Sequence, residues 1–125
     1  MISFADFLPT FAQITGTDTA FLNSDGKSFY PILKGAREMT QQEIFVHYSP
    51  RWGKFAHSRW VMDGKYKLYQ NFSFYNTVLD PLEQKKLDIL TPEEENIRNR
   101  FKEIIQEKEK EFPFKWNDEA FKPEY

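Results

Sequence analysis

The chain has 125 residues, 40% apolar and 29% charged, with a formal net charge of -2, a size and composition that suit a compact fold burying roughly two thirds of the unfolded surface. So small a charge exerts no long-range pull on phosphate backbones or anionic lipids, which excludes nucleic acid and membrane surfaces as expected partners; no apolar run approaches the ~20 residues of a membrane span, and residues 1–16 lack the basic start and continuous apolar centre of a signal peptide. The absence of cysteine excludes disulfides, thiolate metal sites and a cysteine nucleophile.

Residues 3–16 read as a helix. Phe7, Leu8, Phe11 and Ile14 recur at spacings that place them on one side of a helical cylinder, and Gly16 stops it. Pro9 is tolerable only in a first turn, which puts the expected N-cap at Asp6 rather than Ser3. With Phe4 and Phe21 added, these side chains present more aromatic surface than so short an element can cover, so the helix is expected to dock on something large. Ser24-Asp25-Gly26-Lys27 is a turn signal, and residues 28–35 read as a helical turn with Phe29, Ile32 and Leu33 on one face, closed by Gly35. Asp-Gly-Lys-Ser is not a phosphate-binding loop, because the glycine spacing is wrong and no apolar strand feeds it.

Residues 43–49, centred on Ile44-Phe45-Val46-His47-Tyr48, read as a strand stopped by Pro50. A loop with Trp52, Lys54, Phe55 and His57 follows. Residues 59–69 are two short strands joined at Asp63-Gly64, a strong hairpin signal because the tight turn needs a positive φ that glycine adopts cheaply. Val61, Tyr66 and Leu68 fall on one face, Lys65 and Lys67 on the other. A fourth strand is expected over 71–79, packing through Phe72, Phe74, Tyr75 and Val78, before Asp80-Pro81 turns the chain out. Strands joined by such short connections form an antiparallel meander.

Thr91-Pro92-Glu93-Glu94 provides a threonine cap, a proline at the first helical position and the glutamate of a capping box. Ile97, Phe101, Ile104, Ile105 and Phe112 then recur at helical spacings, and the mixed charges between them are a solvated face. Residues 113–125 carry Phe114, Trp116, Phe121 and Tyr125 without periodicity and are expected to run along a surface. The predicted class is α+β: a four-stranded antiparallel sheet packed by a C-terminal helix, preceded by a short helix and loop.

The order of these motifs resembles the late region of the sulfatases of the alkaline-phosphatase superfamily. Asp6-Phe7-Leu8-Pro9-Thr10-Phe11 is similar to the family's Asp-hydrophobic-hydrophobic-Pro-Thr-hydrophobic helix. Asp25-Gly26-Lys27-Ser28-Phe29 with Leu33-Lys34-Gly35 resembles its Asp-Gly-Arg/Lys-Ser loop and Leu-x-Gly. Ile44-Phe45-Val46-His47-Tyr48 stands where the family has an aromatic strand, Arg59 to Leu68 resembles its Arg-x-Val-x-x-Gly-x-Tyr/Trp-Lys-Leu hairpin, and Thr77 to Gln84 occupies the place of its Asp-Pro-x-Glu segment, with Leu87 near the place of its Asn-Leu. The likeness covers nearly the whole chain. It implies that residues 1–40 are a remnant of a parent catalytic α/β domain and residues 41–125 the C-terminal sulfatase subdomain.

The family's catalytic parts have no counterpart here. There is no Cys/Ser-x-Pro-x-Arg signature for formylglycine, Ser49-Pro50-Arg51 having the wrong spacing, and no counterpart of the acidic pairs that hold calcium or of the Gly-Lys-x-x-His segment. Calcium and formylglycine are therefore expected only in the missing domain, and no catalytic or metal-binding residue is assigned to this chain. The resemblance implies a non-catalytic piece of a sulfatase, whether an expressed piece, a proteolytic remnant or a truncated reading frame. Its partner would be the missing domain, its parent's substrate a sulfated carbohydrate or aryl sulfate, and the parent's compartment extracellular, periplasmic or lysosomal. Surface covered in the parent would be bare in the piece, which accounts for 18% aromatic residues and predicts self-association through Phe4, Phe7 and Phe11. By analogy with small-domain residues at the mouth of sulfatase pockets, the candidate substrate contacts are His47, Arg51, Trp52, His57 and Arg59, the arginines pairing with anions and the tryptophan stacking on a sugar ring. The alternative is a free-standing carbohydrate-binding or protein-interaction module using Trp52, Trp60 and Trp116.

Overall fold

The computed structural model describes residues 1–18, 24–37, 43–49 and 57–113. The chain divides into two compact units, Met1–Ile44 and Phe45–Tyr125.

In the first unit a 3-10 turn (Phe4–Asp6) runs directly into α1 (Phe7–Thr15), and a single turn, α2 (Tyr30–Leu33), follows the loop. Asp6 stands at the expected N-cap position of α1 but makes no side-chain cap hydrogen bond there; Ser3 caps the preceding 3-10 turn, its hydroxyl accepting from the Ala5 N–H at 3.3 Å and its own N–H donating to Asp6 Oδ2 at 2.6 Å. The Asp6 carboxylate also makes a distant contact. Its Oδ1 accepts from the Lys27 N–H at 2.8 Å, and the residue is fully buried. Pro9 falls in the first turn, and Gly16 ends α1 at φ 70°, where a side chain would be strained.

One turn beyond Asp6, the buried Thr10 hydroxyl donates to the Asp6 carbonyl at 2.6 Å and accepts from the Phe29 N–H at 3.0 Å. Ser28 Oγ donates to Gln13 Oε1 at 2.5 Å. Asp6, Thr10 and Gln13 share one stripe of the helix, so a polar ladder fastens residues 27–29 along it. The approach is close enough that a Cβ on Gly26 would lie 2.0 Å from the Ala5 carbonyl oxygen. The neighbouring apolar stripe is largely open: Phe7, Leu8, Phe11 and Ile14 are 41 to 58% exposed, and Phe4 is 93% exposed. Phe7 alone reaches inward, edge-on to the buried Phe29 ring at 5.3 Å. On α2, Leu33 points to water rather than sharing a packed face with Phe29.

The second unit is built on a four-stranded antiparallel sheet in sequential order, β1 (Ile44–Tyr48), β2 (Ser58–Met62), β3 (Tyr66–Tyr69) and β4 (Phe74–Asn76), with α3 (Pro92–Glu111) across β2 and β3. Val61 stands opposite Leu68 and Met62 opposite Lys67. Gly64 takes φ 93° in the connecting turn, while Asp63 Oδ1 accepts the Lys65 and Tyr66 N–H groups at 2.9 and 2.8 Å. The expected hairpin is present.

β4 is shorter than the expected 71–79 for two local reasons. Phe72, at φ 64°, belongs to the loop after β3, where its N–H donates to the Tyr69 carbonyl, and it is 52% exposed. At the other end the Asn76 side-chain oxygen accepts from the Val78 and Leu79 N–H groups at 3.2 and 3.1 Å, bending the chain away and leaving Val78 in water. Phe74 is the predicted packing residue that enters the core.

That core comprises Val61, Tyr66, Leu68, Phe74, Phe101 and Ile105, bordered by Phe45, Leu87, Leu90, Ile97 and Ile104. Tyr66 stacks on Phe74 at 5.3 Å, and Phe74 meets Phe101 edge-on at 6.5 Å; each such buried side chain contributes about 1.5–3 kcal/mol through removal from water. The capping box forms as read, Thr91 Oγ1 accepting from the Glu94 N–H at 3.3 Å and Glu94 Oε2 from the Thr91 N–H at 2.9 Å. Glu94 Oε1 accepts from the Tyr66 hydroxyl at 3.1 Å, which ties the start of α3 to β3. Phe112, expected on the packing face, lies past the helix end and is 60% exposed. Among the described residues no helix is long and apolar enough to cross a membrane.

Candidate functional site

β1 is an edge strand, and three of the five predicted contact residues meet where it lies beside β2. Alternation along the strands sets the arrangement. Arg59 and Val61 are two apart on β2 and both are buried, so the guanidinium is directed toward the α3 side of the sheet. There Arg59 Nε donates to His47 Nδ1 at 2.9 Å, and Nη2 donates to the Phe112 carbonyl at 2.7 Å. His57, just before β2, shares a hydrogen bond between its Nδ1 and Ser49 Oγ at 2.8 Å. Arg51 and Trp52 lie outside the described residues.

The bond to Arg59 decides the chemistry of His47. An Nδ1 that accepts from an arginine carries no proton, so the neutral ring bears its hydrogen on Nε2. Burial, then the charges of Arg59 and His57, hold this imidazole below its ordinary value of 6.5, so the neutral form prevails at pH 7. His47 is thus a hydrogen-bond donor at the exposed edge, oriented from behind by an arginine that is itself only 2% exposed. Arg59 acts on this edge as a positioning residue. The Ser49–His57 pair has the distance of a hydroxyl and its base, but Ser49 is exposed, and acyl-transfer catalysis draws most of its force from donors preorganised around a water-excluded oxyanion.

The opposite face of the sheet carries a second assembly that was not apparent from the sequence. Lys67 Nζ lies 4.7 and 4.6 Å from the ring centres of Trp60 and Tyr69 and pairs with Glu83 Oε1 at 2.7 Å. Glu83 Oε2 accepts from the Tyr69 hydroxyl at 2.5 Å, and Tyr75 meets Tyr69 edge-on at 5.9 Å. Burial raises the Tyr69 hydroxyl above its usual range, reinforced by the bond to Glu83. Burial alone would lower the Lys67 ammonium, but its bonds to Glu83 and Tyr69 outweigh that and raise it. Glu83 holds this position at φ 54°, a conformation that costs a non-glycine residue roughly 1–2 kcal/mol. The signals in the sequence were the Lys67 alternation and an Asp-Pro-Leu-Glu segment whose glutamate lies 14 residues beyond Tyr69; neither reveals a contact before the strand register is known.

Among the described residues no three His, Cys, Asp or Glu side chains converge to hold a metal ion, and the best-placed carboxylates are committed, Asp6 to backbone N–H groups, Glu83 to Lys67 and Tyr69, and Glu94 to its helix cap. No protein-family model and no curated protein matches the sequence.

Proposed function

We propose that this chain is the C-terminal portion of a sulfatase, non-catalytic by itself, which completes the fold of the enzyme and lends the β1–β2 edge to the rim of the substrate pocket. The observation that carries this reading is that residues of separate resembling segments are joined in pairs. Asp6 and Thr10 of the helix motif hydrogen-bond Lys27 and Phe29 of the Asp-Gly-Lys-Ser loop, and Gly26 admits no side chain where that loop meets the 3-10 turn. Lys67 of the hairpin motif pairs with Glu83 of the Asp-Pro-Leu-Glu segment. A chance likeness in scattered short motifs gives no reason for their members to interact.

At the rim, His47 offers a neutral N–H donor to an oxygen of a sulfated sugar or aryl sulfate, and the His57 imidazole lies beside it as a second hydrogen-bonding group. The nucleophile, the cation and the charge-stabilising groups for sulfate ester hydrolysis belong to the rest of the parent enzyme.

The test compares para-nitrophenyl sulfate hydrolysis, with calcium present, by this chain and by the longest in-frame upstream polypeptide matured by a formylglycine-generating enzyme. Activity in the longer polypeptide alone is the expected result; turnover by the short chain overturns the reading. An upstream reading frame with no sulfatase core would instead select the free-standing interaction-module reading.

A further inference from the structure

The apolar side chains of α1 follow a repeat. Phe4, Phe7, Phe11 and Ile14 recur at intervals of three, four and three residues, the spacing of a seam between two packed helices, and Leu8 flanks it. The 3-10 turn and α1 carry this stripe without a break: the Phe4 ring meets that of Phe7 at 6.1 Å, and the Phe7 ring meets that of Phe11 at 6.0 Å. All of these side chains are open to solvent. The polar residues of the same turns face the loop instead, where Asp6, Thr10 and Gln13 bond to Lys27, Phe29 and Ser28. The helix is thus held in shape from behind before anything meets its front, which lowers the ordering cost of an association.

We propose that this stripe is the seam of a two-fold dimer, in which α1 of one copy of the chain lies antiparallel to α1 of a second copy. The spacing selects this partner. Three, four, three reads the same in both directions, so an antiparallel copy sets Phe4 against the second copy's Ile14 and Phe7 against the second copy's Phe11, and repeats both contacts on the other side of the axis. Within α1 charge does not oppose the meeting: residues 7–15 carry no ionisable side chain, and the Asp6 carboxylate is turned onto the Ser3 and Lys27 N–H groups. Antiparallel order also places the positive start of each helix beside the negative end of the other, whereas a parallel pair sets like ends together.

The area fits a reversible pair. The exposed parts of Phe4, Phe7, Leu8, Phe11 and Ile14 amount to roughly 500 Å² on each copy, and two such faces reach the ~1,000 Å² at which specific association begins. Because the same patch is used by both copies, the contact closes on itself and leaves no stripe to recruit a third. The seam is a property of the first unit and stands whether or not the chain belongs to a sulfatase.

The test exploits the absence of cysteine. Phe4→Cys and Ile14→Cys are made as separate full chains, one labelled with nitrogen-15, mixed in equal amounts and joined by a short thiol cross-linker. Mass spectrometry should find the mixed product several-fold above its statistical share, and sedimentation velocity of the natural chain should show monomer and dimer in exchange with nothing larger. An excess of like-with-like products would mean a parallel pair, statistical proportions an unordered contact, and larger species an open assembly. A monomer at every concentration would leave the stripe to another occupant, whether the missing domain or a further segment of this chain. Each of these results overturns the proposal. If the substitutions themselves weaken the pair, isotope-filtered nuclear magnetic resonance on the natural chain decides the matter. Residues 4 and 14 of one helix are about 15 Å apart, so contacts between the Phe4 ring and the Ile14 methyl groups arise only between copies, and their absence from the dimer overturns the antiparallel seam.

Discussion

Gly26 and Asp6 show how single positions govern the first unit. A Cβ at residue 26 would sit 2.0 Å from a main-chain oxygen and 2.3 Å from its carbon, atoms that cannot swing aside. Gly26→Ala should therefore destabilise the helix–loop contact by about 3 kcal/mol or more, measured as accelerated limited proteolysis within residues 17–28, with the second unit still resistant. An alanine variant with unchanged proteolysis would show that the loop does not rest against the 3-10 turn. The glycine was legible as a turn residue but not as a contact, because a turn signal is local and the obstructing atom lies 21 residues away. Asp6 was legible as the residue at the start of α1 but its contact was not, for the same reason: nothing near it in the sequence announces that Lys27 will claim one of its oxygens. His47 and Arg59 were each legible as polar residues near the loop, but their union required the pairing of β1 and β2.

At the scale of elements, legibility followed how local the determining chemistry is. The α3 start was readable residue by residue, since Thr91, Pro92 and Glu94 act on one another within a single turn. The β2–β3 hairpin was readable from Gly64 and the alternation of Val61, Tyr66 and Leu68. β4 was readable as a strand but not in its length, because Phe72 adopts a left-handed backbone that its side chain disfavours, and Asn76 uses its amide to end the strand; both choices answer to the loops rather than to the apolar pattern. The sheet depends on α3 for cover. Phe101 is fully buried against Phe74, so Phe101→Ala should cost about 3–5 kcal/mol in chemical denaturation of the second unit. A loss below 1 kcal/mol would mean that the helix does not cover the sheet as described.

At the scale of the whole molecule, the open stripe of α1 is the feature expected to drive association in solution. Its apolar periodicity was plain in the sequence, but periodicity names a face without naming what covers it, and the interior side of α1 turned out to be its polar one. The chain should self-associate in sedimentation velocity experiments, and Phe4→Glu combined with Phe11→Glu should disperse it, since these rings are 93 and 58% exposed and charges there cost little folding stability. A natural chain that stays monomeric across a wide concentration range would contradict this. The ladder that fastens α1 to its loop also bears on timing. Its contacts span only 15 to 21 residues of chain, and short loops close quickly, so the first unit can assemble while the ribosome is still making α3. Its oily stripe is then on display before synthesis ends, the kind of exposed apolar surface that makes chaperones useful to a nascent chain.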